Sequence, residues 1–313
     1  MAGALGTVTT LAKETVTRWT EDKASALAAA LAYYSLFSLA PLVLIAVAVA
    51  GLVFGQQAAE GQLYSQLAGL MGDATAKALQ GMVANMHQQE GRGIVATIVG
   101  IATLLFGASG VFAQLQDSMN TIWKARSPTT NGIVDFLRVR MLSFSMVLGI
   151  GFLLLVSLIL SAVLAAVGEY LGLFLPGGAA VGHALNATVS LVVVTALFAM
   201  IYKLLPDTPV AWSDVWVGSL LTSFLFTVGK FAIGFYLGKA SVASSYGAAG
   251  SVVILLLWVY YSSLILYLGA EFTHVYSMRH GSRRGATYTP VPDRREGRNL
   301  ERLIPPGGVA AKS

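Results

Sequence analysis

A chain of 313 residues with 56% hydrophobic and 11% charged side chains, and a mean hydropathy of +0.70, departs far from soluble domains. In those, about 25% of residues are charged. Such a composition defines an integral membrane protein. The absence of cysteine excludes a disulfide framework, a thiolate metal site and a cysteine nucleophile.

In chain order, residues 3–19 set Leu5, Val8, Leu11, Ala12, Val16 and Trp19 at helical spacing, with Lys13, Glu14 and Arg18 between them. This pattern suits an amphipathic helix in the membrane interface, or equally a solvated terminus. The charge-free run from Ala24 to Ala59 is too long for the apolar part of a cleavable signal peptide, so its core, Leu27–Phe54, is expected to be a first span. Residues 56–93 are more polar, but Leu63, Leu67, Leu70, Met71, Ala74, Ala78, Met82 and Met86 share a helical face. Two short amphipathic helices broken near Gly72-Asp73 are expected there, capping the outer side. Further spans are expected at about Ile94–Ala113, Met141–Ala165, Ala184–Leu205 and Val215–Leu237. Gly234 and Gly238 in the fifth form a G-x-x-x-G close-packing signal. The sixth falls within the uncharged run Ala240–Ala270, which is longer than the ~20 residues a helix needs to cross a bilayer.

An even number of spans puts both termini on one side. Sixteen of the 20 Lys and Arg residues lie on the side of the termini, against three on the other and Lys230 within a span. By the positive-inside rule both termini are cytoplasmic. Three regions follow: a cytoplasmic amphipathic segment at 1–23, a six-helix transmembrane domain at 24–276, and a basic, Pro-containing tail at 277–313. The composition of that tail argues for disorder, and its arginines suit anionic lipid headgroups.

Several blocks resemble the YihY/BrkB family of bacterial inner-membrane proteins, once labelled ribonuclease BN and also described as virulence factors. They are Ala32-Tyr33-Tyr34-Ser35-Leu36-Phe37-Ser38-Leu39-Ala40-Pro41, Met119-Asn120-Thr121-Ile122-Trp123, and Leu205-Pro206-Asp207 with Trp212 and Gly218. Ser245-Tyr246-Gly247, Leu257-Trp258-Val259-Tyr260 and Gly269-Ala270-Glu271 complete the set. The resemblance covers roughly residues 20–276. It implies an all-α fold with six spans and a cytoplasmic-membrane location.

Lys230 is the ionisable residue set inside a span, and an intramembrane charge is by default a functional-site hypothesis. Counting about 1.5 Å per residue from Leu237 puts it ~10–12 Å below the outer surface. A lysine stem can also snorkel that far. Tyr33, Tyr34, Ser157, Tyr246 and Tyr260 are candidates for the same substrate cavity; hydrogen bonding between helices competes as their role. Asp22 suits an N-cap of the first span. Pro41, Asn120 and Pro206 are structural candidates, and Glu271 is expected at the cytoplasmic rim, paired with a basic residue or capping a neighbouring helix. Glu271 and His274 form an i, i+3 pair of the kind that binds metals in bundles, but no second pair accompanies it, so no metal and no cofactor are expected.

No phosphate loop, nucleophile elbow or carboxylate–histidine cluster is present, which argues against an enzyme. The leading expectation is a transporter-like protein moving a lipid, amphiphile or small solute among membrane lipids. The alternatives are a non-transporting scaffold or envelope-assembly factor and, behind it, a membrane-bound ribonuclease.

Overall fold

The computed structural model describes residues 2–38, 72–87, 110–125, 178–239 and 249–284, with positions 61, 64, 65 and 68. The described residues are helices joined by turns and short connections. In order they form α1 (Ala2–Glu21), α2 (Ala24–Ser38), α3 (Asp73–His87), α4 (110–122), α5 (Gly178–Leu204), α6 (Trp212–Lys239) and α7 (Gly250–Arg279). Three of these helices are long and apolar enough to cross a membrane, namely α5, α6 and α7, while α2 is a shorter apolar helix. Most of the first three expected spans lies outside the described residues.

The last helix differs in register from the uncharged run that predicts it. It starts at Gly250 and continues nine residues past Ala270 to Arg279. At about 1.5 Å per residue its 30 residues measure ~45 Å, well beyond a ~30 Å hydrocarbon core. The added turns carry Glu271, Thr273, His274 and Ser277, all buried. They hold helical form because other parts of the chain cover them: α1 lies along these turns, and the residues after α7 fold back over the start of α6. Residues 277–279, expected to begin a tail, continue α7, and residues 285–313 lie outside the described residues. Gly281–Arg284 form a turn, with the Arg283 N–H donating to Ser277 O at 3.0 Å.

At the other end, α3 covers the start of α7 and the end of α6. Ala78 packs with Leu237 and Ile254, and Leu79 packs with Leu255. Its start at Asp73, after Gly72 at φ +81°, coincides with the break the sequence suggests. A glycine there supplies a left-handed turn without a Cβ clash.

Close contact among α5, α6 and α7 depends on Gly218 and Gly269. A Cβ on Gly218 would overlap the Thr273 hydroxyl and sit 2.7 Å from Thr273 Cβ. One on Gly269 would overlap Thr222 Oγ1 and approach the Tyr202 hydroxyl to 2.5 Å. Buried Tyr202 donates from its hydroxyl to Leu266 O at 2.8 Å and lies 3.0 Å from Thr222 Oγ1, so one side chain of α5 ties both other helices. Gly229 meets Ile265 and Tyr261. The G-x-x-x-G signal does not mark this interface, since a Cβ on Gly234 would meet nothing within 4 Å. On α6 the contacting glycines lie on the face that carries Thr222, and Gly234 does not share it.

Candidate functional site

Polar side chains gather where the end of α7 meets α1, the α1–α2 corner and the end of α4. The corner is tight. Lys23 adopts φ 52°, and its carbonyl accepts the Ala26 and Leu27 N–H groups at 2.8 and 3.2 Å to start α2. α4 ends in the same way: Lys124 is at φ 52°, and the Ala125 N–H reaches back to Asn120 O at 2.9 Å. That is the wide bond of a Schellman-type terminus, here without glycine. These two turns bring the Lys124 ammonium onto Asp22 Oδ1. Asp22 is therefore not the N-cap that its position suggests; its recorded bond runs across to α4.

Glu271 projects from α7 into this junction. It is 0% exposed, and neither carboxylate oxygen has a hydrogen-bond partner among the described residues. Arg18, Asp22 and Lys124 are the charged groups that face it, with Asp22 within hydrogen-bonding reach. The second oxygen of Asp22 is also buried and unpartnered. Glu271 thus does not lie at a solvated rim paired with a base. It is buried where α7 meets α1 and the α1–α2 corner, and another acid, Asp22, lies within its hydrogen-bonding reach.

One turn further on, His274 is buried with both ring nitrogens engaged. Nδ1 lies 3.5 Å from Arg18 Nη1, and the ring bonds the Ile122 backbone. An arginine only donates, so Nδ1 accepts, leaving the other ring nitrogen to donate to the Ile122 carbonyl. Both nitrogens are thereby withdrawn from the metal reading of the i, i+3 pair. Among the described residues no group of three or more potential metal ligands occurs. The His274 ring sits 5.1 Å from that of Trp123, and the Arg283 guanidinium covers Trp123 at 5.4 Å.

Arg283 also donates to Thr208 Oγ1 at 2.6 Å and Pro209 O at 2.7 Å. Partial burial lowers its pKa from the usual arginine value, and Asp214 opposes that shift. Asp214, in the first turn of α6, accepts from the Ser282 N–H at 3.1 Å and the Ser282 hydroxyl at 2.7 Å. Gly281 lies so close to Asp214 that a Cβ would overlap its carboxylate.

A second lock joins α4 to the loop after α5. Asn120 donates to Asp207 Oδ2 at 2.8 Å and accepts the Asp207 N–H at 2.8 Å, while Gln116 adds weaker bonds at 3.3 Å. Pro206, buried beside Asp207, stiffens the same loop. Asn120→Ala removes both ends of this clasp, one of them to a charged acceptor. It is expected to cost about 2 kcal/mol, read as a lower melting temperature of detergent-purified protein.

The cavity candidates are not drawn into this junction. Tyr33 is 58% exposed and packs edge-on against Tyr34 and Phe37 at ring distances of 5.7 and 5.2 Å. Tyr34 lies against Gly110 of α4, and Tyr260 is half-buried between two apolar clusters. Lys230 is half-buried in α6 with its ammonium 5.3 Å from the Phe231 ring. Ser157, Tyr246 and Pro41 lie outside the described residues. Arg18, Lys124 and Arg283 entered the sequence reading only as basic charges and Trp123 as a motif letter, and Asp214 did not enter it. The turns at Lys23 and Lys124 carry no glycine to announce a left-handed residue.

A long-helix bundle with apolar spans and a polar junction closed by α1 and the turn after α7 is the architecture of an α-helical membrane protein. Residues 15–293 match the family described as "Virulence factor BrkB", and the chain belongs to that family. It is similar to the "UPF0761 membrane protein" of Verminephrobacter eiseniae, 29% identical over 82% of this chain and 59% of that one. The protein of the same description from Albidiferax ferrireducens is 30% identical over 81% and 59%. "UPF0761 membrane protein MS0032" of Mannheimia succiniciproducens is 27% identical over 82% and 86%. The chain thus spans about three fifths of the first two relatives' length. No solved structure matches.

Proposed function

We propose that this protein is transporter-like, with both termini cytoplasmic in a bacterial inner membrane, and moves an anionic amphiphile or small solute. The observation that carries the reading is the setting of Lys230. It lies nine residues before the end of α6, about 13 Å along the helix axis, and away from the Asp214 end. Beside it runs an exposed apolar face of Leu220, Phe224, Val228, Phe231 and Phe235. A half-buried ammonium against an aromatic face suits a ligand with an anionic head and an apolar tail. The contact of α1 with the last turns of α7 supports a common side for both termini: Arg279 grips Glu14 with two N–H groups, and Arg18 meets His274.

Vesicles reconstituted with the protein and a fluorescent phosphatidylglycerol analogue test this reading. Movement between leaflets is expected above that of protein-free vesicles, falling about tenfold in Lys230→Met, the loss of ~1.4 kcal/mol of headgroup interaction. No movement above the protein-free rate would overturn the proposal. The interlocked α5–α6–α7 contacts at Gly218 and Gly269 favour a second reading, a rigid non-transporting scaffold. It expects flux no higher than in protein-free vesicles, with or without Lys230→Met, and loss of function on deleting residues 285–313.

A further inference from the structure

We propose that Glu271 and Asp22 share one exchangeable proton, making the junction of α7, the α1–α2 corner and α4 a proton-binding site. Three observations carry this. The Glu271 side chain is completely buried, and no N–H or O–H donor among the described residues reaches either of its oxygens. An ionised carboxylate without donors in such a place costs several kcal/mol. The polar group it meets is Asp22, another acceptor, whose Oδ2 is likewise buried without a donor. Two carboxylates in contact are satisfied when one carries a hydrogen and gives it to the other.

The surrounding charges fit a proton better than a metal ion. The ammonium of Lys124 occupies Asp22 Oδ1, leaving Oδ2 as the acceptor turned to the site. Arg18, from α1, spends Nη1 on His274 and brings a second positive charge beside Glu271. Arg18, Lys124 and Arg283 are the cations around His274, which already uses both ring nitrogens. A metal cation would be repelled by Lys124 and Arg18, and would find two carboxylates with no third acidic or imidazole ligand among the described residues. Neither the Trp19 nor the Trp123 indole N–H, buried on elements of the junction, makes a hydrogen bond among the described residues, so neither satisfies the pair. Uptake forms an O–H bond on Glu271 with Asp22 Oδ2 accepting. Release returns the proton to water and leaves two carboxylates facing each other, an arrangement that pushes α7 and the α1–α2 corner apart.

The inference stands on this junction alone, independent of what the protein moves. Infrared difference spectra of the full-length protein in lipid nanodiscs, recorded across pH, test it. A carboxylic-acid C=O band that shifts in D2O is expected near neutral pH. It should be absent in Glu271→Gln, which keeps the shape of the protonated acid, and displaced in Asp22→Asn. Wild-type protein with isotopically labelled glutamate carboxyl carbons makes the same test without any substitution, because the band must move with the label. A labelled wild-type protein with no such band, or superimposable spectra for wild type and Glu271→Gln, overturns the proposal. So does a site signal that responds to sodium at fixed pH and not to pH itself.

Discussion

Gly269→Ala is expected to disrupt the α5–α6–α7 unit more than any other single-methyl change considered. The added Cβ overlaps Thr222 Oγ1, stands 2.5 Å from the Tyr202 hydroxyl and lies 2.9 Å from Thr222 Cβ. Relief requires α6 and α7 to part or Tyr202 to leave the Leu266 carbonyl, and either change removes a buried hydrogen bond. Overpacking costs typically 1–3 kcal/mol and an orphaned buried hydroxyl a similar amount, so the loss is about 4 kcal/mol. Gly234→Ala is the control, since its Cβ would meet open space and a helical alanine is the better residue. A thermal melt in detergent, followed by loss of the monodisperse peak, should separate the two variants widely. Similar melts would show that the contact is not as close as described.

The second large effect belongs to Lys124→Met. Removing the ammonium leaves Asp22 facing another acid, with its side chain only 9% exposed. Breaking a buried pair from one side costs about 3–5 kcal/mol, because the remaining charge has no partner. Lys124→Met combined with Asp22→Asn should recover most of that loss. Recovery of stability by the double variant is the signature that distinguishes a charge effect from lost packing of the lysine stem. A double variant no more stable than Lys124→Met would show that the stem, not the ion pair, holds the corner. The Glu14–Arg279 pair is the contrast. It is exposed to solvent, and replacing Arg279 should leave the melting temperature nearly unchanged.

Much of the architecture was legible in residue order. The runs that end at Leu205 and Leu237 coincide to within a few residues with the ends of α5 and α6, because so long an apolar stretch has no stable place in lipid but a helix. The break at Gly72 was legible because only glycine enters a left-handed turn at little cost. The N-terminal amphipathic segment was half legible. Leu11 and Thr15 are buried, while Val8 and Val16 remain exposed, so its apolar residues divide between two surroundings. Periodicity gives the spacing of a face and not what lies across from it.

The site itself was less legible, and Glu271 shows why. Its carboxylate closes an uncharged run, the usual sign of a helix leaving the membrane, so a wet rim was the natural expectation. What buries it is α1, some 250 residues earlier, together with the α1–α2 corner and the end of α4, each built on a lysine in the left-handed conformation. Such lysines carry no mark in the sequence. Asp22 likewise had the position of an N-cap, but its carboxylate follows the stronger pull of an ammonium from another helix.

Residue order alone determined that this chain lives in a membrane, where its long apolar helices run, and how its basic residues are distributed. Those properties follow from solvation, which each segment meets by itself. Tertiary structure alone decided which glycines touch another helix and which acid lies buried against which. Each of these depends on pairs of residues far apart in the chain, and the free energy of a pair exists only once both members are in place.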